Sequence, residues 1–331
     1  MQFKTWQLLI LIIVTVTACG GQKKPQKASS ISDSQATFRS EQGFNGQKAF
    51  EYVKAQTDFG PRVPGTEAHQ NCAAYLITTL KSLGAEVEVQ AFTAEGYDGS
   101  MWKGQNICGS YLPELKDRVM LCAHWDSRFI AEEDPDKEAQ HQPIDGANDG
   151  ASGVGVLLEI ARQLQIEKPN VGVDIIFFDV EDQGAPSYAA SAESEDSWCL
   201  GSQHWAQEAV ATGYKARWGV LLDMVGAPDA IFLKEQFSLY YAQQLVDYTW
   251  NLAAQMGYSH LFVNKRGGVV TDDHVYVSRI AKIPCIDIID YDDARGGFNT
   301  TWHTHEDNIK NIDPETLEAV GKVVLELIRQ Q

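Results

Sequence analysis

The strongest constraint on this chain is a set of short, almost wholly apolar runs, each followed by residues that can bind a metal or carry a proton. Val119 to Cys122 precedes His124, Val173 to Val180 precedes Glu181-Asp182, and Gly219 to Leu222 precedes Asp223. Such runs read as strands buried on both faces, the mark of a parallel sheet covered by helices. Strands are expected at 85–93, 104–111, 118–123, 172–179, 217–224 and 284–290, and helices at 151–166, 201–211, 236–257 and 314–330. Two more helical patterns precede them, one through Phe50, Val53 and Gln56 and one from Glu67 to Leu83. Asp313-Pro314 supplies an N-cap followed by proline in the first turn of the last helix. The alternation predicts an α/β fold, a three-layer α/β/α sandwich around a central mixed, mostly parallel sheet, with 85–93 and 104–111 as an antiparallel hairpin at one side.

A parallel sheet brings the ends of separate strands to one rim, so residues far apart in sequence can meet there. His124, Asp149, Glu181, Asp182 and His303 would meet in this way. Two imidazoles and several carboxylates are a ligand set that Zn²⁺ accepts, and a catalytic metal site is the first functional hypothesis.

The ends and the charge narrow the setting. Lys4 and the apolar stretch Leu8 to Val16 form a leader too short for a comfortable membrane span. The stretch ends in Val16-Thr17-Ala18-Cys19-Gly20, which resembles a bacterial lipoprotein signal with Cys19 as the lipidated residue. The expected division is a signal peptide over 1–18, a polar tether over 19–43 and one catalytic domain over 44–331, held in the cell envelope on a periplasm-facing membrane anchor. The formal net charge of −18 counts against nucleic acid as a partner; most of it reads as a soluble acidic surface, with a preference for a cationic substrate as the alternative. The five remaining cysteines, Cys72, Cys108, Cys122, Cys199 and Cys285, show no close spacing, so neither a disulfide framework nor a cysteine zinc site is written here.

Three long polar stretches, 128–148, 182–200 and 291–301, flank the candidate ligands and are expected to be irregular loops that shape the site. Asp149 sits among small residues before a helix, where it can cap that helix or let a metal approach closely. Glu181 and Asp182 point in different directions at a strand end, so one can bind metal while the other moves protons. His303 and His305 are rivals that spacing does not separate. Asp223 is either a further ligand or a supporting group, and Asp272 opens Asp272-Asp273-His274, whose plain reading is the cap of a short helix. GxSxG, Walker, GxGxxG and HExxH patterns are all absent.

The ordered set His124-x-Asp126, Asp149-Gly150, Glu181-Asp182, Asp223 and Trp302-His303 resembles the zinc aminopeptidase clan. Within it, Phe59 to Gly65, Leu222 to Pro228, Asp272-Asp273-His274 and Trp302 to Asn308 look most like the glutaminyl-peptide cyclotransferases, or glutaminyl cyclases. The likeness spans about 45 to 331. It implies one zinc per subunit on Asp149, Asp182 and His303, with Glu181 as proton shuttle. Asp223 and Asp272 would be acidic groups aiding catalysis, and Trp302 and Phe298 would bind substrate. The implied reaction turns the N-terminal glutamine of peptides and proteins into pyroglutamate with release of ammonia. Three features depart from the animal enzymes: Asp182 replaces a Glu, Asp287 stands near the position of a His, and Arg295-Gly296-Gly297 is an insertion. The alternative on the same scaffold is a two-metal aminopeptidase. It would hold a second zinc through His124, Asp149 and Asp182, with Asp223 and His303 on the first.

Overall fold

A computed structural model describes residues 43–331; the leader, Cys19 and the tether through residue 42 lie outside them. Two helices open the described chain, α1 (Gly46–Thr57) and α2 (Glu67–Ser82), capped by the side chains of Asn45 and Thr66. The main sheet is built from β1 (Glu86–Glu95), β2 (Met101–Tyr111), β3 (Arg118–His124), β4 (Gly172–Phe178), β5 (Gly219–Asp223) and, later in the chain, the strand Cys285–Ile289. Between them run α3 (Ala151–Ile166) and α4 (Leu200–Thr212). After β5 come β6 (Phe232–Lys234), α5 (Gln236–Gln255), β7 (Phe262–Arg266) and α6 (Asp273–Arg279). Cys285–Ile289 is then β8, followed by β9 (Tyr291–Asp292), β10 (Gly297–Phe298) and α7 (Pro314–Arg329).

The six strands lie in the order β1-β2-β4-β3-β5-β8. β1 and β2 form the expected antiparallel hairpin, and β2 also runs antiparallel to β4. The pairs β4/β3, β3/β5 and β5/β8 are parallel. The sheet is therefore mixed with a parallel half, and that half carries the candidate ligands.

Side-chain alternation along the strands separates the two helix layers. Val119, Leu121, Ala123, Val173, Ile175, Phe177, Val220, Leu222, Ile286 and Ile288 face one way and pack with side chains of α1, α2, α3, α5 and α7. Met120, Cys122, Ile176, Phe178, Leu221 and Cys285 face the other way, against Trp205, Ala206 and Ala209 of α4 and Val277 of α6. Each fully buried Val, Leu, Ile, Phe or Met side chain among them contributes about 1.5–3 kcal/mol. This is the expected three-layer architecture. Among the described residues no helix is long and apolar enough to cross a membrane.

Two expectations need correction. The run Val173 to Val180 does not stay a strand to its end: β4 stops at Phe178, and Val180 takes a left-handed backbone at φ 58°. The break falls at Asp179, whose carboxylate accepts the N–H groups of Val180 (2.9 Å) and of Gln105 in β2 (2.7 Å). The stretch 291–301 is partly regular, since β9 and β10 pair as a hairpin. The inserted Arg295-Gly296-Gly297 leads into β10, with φ of 95° and 116° at the two glycines. That turn returns the chain so that Phe298 pairs with Tyr291.

Candidate active site and metal centre

The carboxyl ends of the parallel strands set the first ligands. Cys122 of β3 pairs with Leu221 of β5, so two residues on, where both strands end, His124 and Asp223 lie side by side. Their Nε2 and Oδ1 atoms are 3.2 Å apart. Asp149 enters from the turn before α3, with Oδ1 2.9 Å from His124 Nε2. Gly150 makes that approach possible: its φ is 88°, and a Cβ there would sit 2.7 Å from the Asp126 carbonyl oxygen.

His303 arrives from the last loop, itself in a left-handed conformation at φ 52°. Its Nε2 is 3.1 Å from Asp182 Oδ1 and 3.6 Å from Asp149 Oδ2. Two clusters of ligand atoms result, His124/Asp149/Asp223 and Asp149/Asp182/His303, and Asp149 belongs to both. This corrects the grouping expected for a two-metal site. Asp223 goes with His124 and Asp182 with His303. His305 is out of the contest, exposed and paired with Asp134 at 2.9 Å.

Two buried carboxylates hold the backbone that carries these ligands. Asp126 accepts the N–H groups of Glu181 (3.1 Å) and Asp182 (3.2 Å) and the side-chain amide of Gln183 (2.9 Å). Asp307 accepts those of Asn148 (2.7 Å) and Asp149 (3.1 Å). Behind His303, Glu132 Oε1 lies 3.2 Å from Nδ1. Arg128 secures Glu132 by an ion pair and donates to the carbonyls of Asp182 (2.8 Å) and Gly184 (2.9 Å). Glu132, Arg128 and the role of Asp307 were not legible from sequence. The first two lie in the long 128–148 loop, whose only regular piece is the short 3-10 turn Ala139–His141.

The electrostatics fit a cation. Burial and the adjacent Asp149 push Asp182 up to about 6, against the pull of His303. Burial likewise lifts Asp223 to about 7, helped by Asp149 and Asp272 and opposed by His124. Burial disfavours charge on His303, but Asp182 and Glu132 outweigh it and raise the imidazole to about 9. Asp182 Oδ2 is buried and has no hydrogen-bond partner. An orphaned carboxylate oxygen in a nest of acids, with imidazole alongside, is what a divalent ion would satisfy. The O,O,N donors of Asp149, Asp182 and His303 suit zinc.

These groups open into a pocket of about 300 Å³, lined by Asp149, Glu181, Asp182, Asp223, Asp272, Phe298, Trp302 and His303 among others. Asp149, Glu181, Asp182, Asp223, Asp272, Phe298, Trp302 and His303 therefore meet there, His124 adjoins them through Asp149 and Asp223, and Cys19 is not described. Glu181 is half-buried at the pocket; burial, with Asp272 and Asp182 near, raises its carboxyl well above the ordinary value. Asp272 does cap α6 as the plain reading expected, and it also lines the pocket with Oδ2 unpartnered. Trp302 stacks on His303 with ring centroids 3.7 Å apart, and Phe298 leans on Trp302 at 4.5 Å. Asp287 lies 3.7 Å from His274 Nδ1. The five cysteines are all free.

A sequence model of peptidase family M28 matches residues 106–328. The chain is 27% identical over 296 residues to a glutaminyl-peptide cyclotransferase of Drosophila melanogaster, covering 80% of this chain and 75% of that one. Its fold matches a crystal structure of Bacteroides thetaiotaomicron glutaminyl cyclase bound to N-acetylhistamine with TM-score 0.85 and 48% identity, covering 87% of this chain and 99% of the other. A Zn-dependent exopeptidase from Parabacteroides distasonis matches equally well, with TM-score 0.85, 49% identity and the same coverage. With the family pattern running through most of its length and the ligand clusters in place, the chain belongs to peptidase family M28 and, within it, to the glutaminyl cyclases.

Proposed function

We propose that the protein is a glutaminyl-peptide cyclotransferase that closes N-terminal glutamine of peptides and proteins into pyroglutamate. The observation that carries this reading is the aromatic wall of Trp302 and Phe298 on the ligand His303, in a small pocket that also holds Glu181. Asp149, Asp182 and His303 would hold one zinc per subunit, which would act as a Lewis acid toward the γ-carbonyl of the substrate glutamine.

The chain's own residues do the rest. Cyclisation needs the glutamine side chain curled so that its α-amine meets its γ-carbon. A wall of indole and phenyl rings confines that curl and excludes water that would hydrolyse the amide instead. As the new N–C bond forms, Glu181 takes one proton from the amine. As the old C–N bond breaks, it returns that proton to the departing nitrogen, which leaves as ammonia. Its raised basicity lets it hold the proton between the two transfers. Asp223 and Asp272 keep the pocket acidic, which attracts a cationic N-terminus; that N-terminus gives one proton to solvent before its neutral amine attacks.

A second reading, a two-metal aminopeptidase, is favoured by the His124/Asp149/Asp223 cluster and by the likeness to the Parabacteroides exopeptidase. Incubation with a dipeptide that begins in glutamine separates the two. Ammonia and a pyroglutamyl product are expected, whereas free glutamine would establish the peptidase. The leader ending at Cys19 supports a periplasm-facing lipid anchor, and Cys19→Ala should release the protein from the membrane fraction.

A further inference from the structure

We propose that Cys199 is a positioning residue for Glu181: its thiol donates to Glu181 Oε1 at 3.0 Å and so leaves the other carboxylate oxygen for the substrate amine. The inference rests on the reading of Glu181 as the proton shuttle. Cys199 is fully buried, yet its partner is the half-buried acid of the pocket.

The surrounding chain is arranged to hold this contact. Cys199 has a left-handed backbone at φ 56°, uncommon for a residue with a side chain, and stands at the start of α4. Its N–H donates to the Glu181 carbonyl at 2.9 Å, and the next N–H, of Leu200, donates to the Val180 carbonyl at 3.0 Å. The first turn of α4 thus lies directly on the segment that carries the shuttle. Gly201 permits that closeness, since a Cβ there would be 2.1 Å from the Asp179 carbonyl oxygen. Asn106 ties the same two segments from the side, accepting the Asp179 N–H (3.0 Å) and donating to the Gly201 carbonyl (2.9 Å).

The chemistry of a thiol suits the task. A pocket already holding Asp149, Asp182, Asp223 and Asp272 needs a neutral donor toward Glu181. A lysine or arginine in that place would itself occupy the carboxylate as an ion-pair partner. Burial, with Glu181 and the acids of α6 nearby, raises the Cys199 thiol well above its ordinary value, so it stays an S–H donor. A carboxylate held at one oxygen loses side-chain freedom before the substrate arrives, which is how a contact remote from the reacting atoms can speed a step.

The test compares Cys199→Ala and Cys199→Ser, alone and combined with Glu181→Gln, with kcat and KM taken per folded, zinc-loaded molecule. Loss of the donor in Cys199→Ala should lower kcat about tenfold at unchanged KM and zinc content. The hydroxyl of Cys199→Ser should restore most of that loss. In the Glu181→Gln background, removal of the thiol should change nothing further. The proposal is overturned if Cys199→Ala turns over like the wild type, if serine is as slow as alanine, or if alanine slows the Glu181→Gln protein by the same factor. Near-normal turnover of Glu181→Gln alone would instead remove the shuttle reading on which the inference rests. If Cys199→Ala does not fold, the near-isosteric serine variant and its combination with Glu181→Gln carry the test.

Discussion

The indole of Trp302 lies on the imidazole of His303, with ring centroids 3.7 Å apart and planes 21° from parallel. Trp302 is half-buried, packs on Phe298 and lines the pocket, so on the proposed reading its ring would both seat His303 and shape the cavity. Trp302→Ala should lower cyclisation by about a hundredfold, because the curled near-attack geometry is lost. Zinc content and fold should persist. A ring that only packed would give the opposite pattern, a stability loss of about 3–5 kcal/mol with full activity in the folded fraction. Activity per zinc-loaded molecule beside a melting curve distinguishes the two.

Glu132 stands 3.2 Å from His303 Nδ1 and is itself anchored by Arg128. A carboxylate behind a metal-binding imidazole fixes which nitrogen carries the proton and makes the other a better donor. Glu132→Ala is therefore expected to weaken zinc affinity by about 10–100-fold while leaving the turnover of the zinc-saturated protein largely intact. Titration against a competing chelator gives the affinity. An unchanged value would reduce Glu132 to an anchor for the 128–148 loop.

How much of this was legible beforehand depends on where each residue gets its position. His124 and Asp223 end strands whose apolar runs are plain in the sequence, so their meeting at one rim followed from the alternation of strands and helices. Asp149, Glu181, Asp182 and His303 were legible as residue types beside such runs and, more sharply, through the resemblance. Which acid groups with which imidazole was not. That pairing depends on the register of β3 against β5 and on turns such as the left-handed Val180, and neither is written in hydrophobic periodicity. Glu132, Arg128 and Cys199 escaped because they work from long loops or loop ends, where side-chain direction follows from tertiary packing alone. The two small strand pairs, β6/β7 and β9/β10, are too short to leave a periodic signal.

Glu235 gives the fold a pH-dependent fastening through His274, which lies close to Asp272 and Asp287. It caps α5, accepting the N–H groups of Phe237 (2.7 Å) and Ser238 (2.6 Å) as well as that of Val270 (3.2 Å), and faces His274 Nε2 at 3.1 Å. Burial pushes its carboxyl up, but His274 and these amides outweigh burial and hold it below the ordinary value. The unfolded chain, with a glutamate near about 4.3, then binds the proton more readily than the folded one. The stabilisation is fully present above that unfolded value and is lost as pH falls through the depressed folded value. Glu235→Gln should lower stability at pH 7 by a cap's worth of about 0.5–2 kcal/mol, read as a lower melting temperature. The gap to the wild type should close as pH falls below that unfolded value. A gap that stays constant with pH would assign the effect to shape rather than charge.

Asp149 belongs to both ligand clusters, and the number of metal ions the active protein needs decides between the two chemistries open to this scaffold. Cyclisation by the substrate's own amine requires no water nucleophile, so one ion on Asp149, Asp182 and His303 would suffice. Hydrolysis by the two-metal route would also use His124 and Asp223. Removal of metal by a chelator should abolish activity, and about one equivalent of zinc should restore it. Asp182→Ala should lose that zinc, because it removes a ligand outright. His124→Ala should keep it, because His124 touches Asp149 Oδ1 and Asp223 but has no contact with the Asp182–His303 pair. Metal analysis of both variants beside their activity completes the test. Two tightly held zincs in active protein, one of them lost with His124, would transfer the assignment to the aminopeptidase.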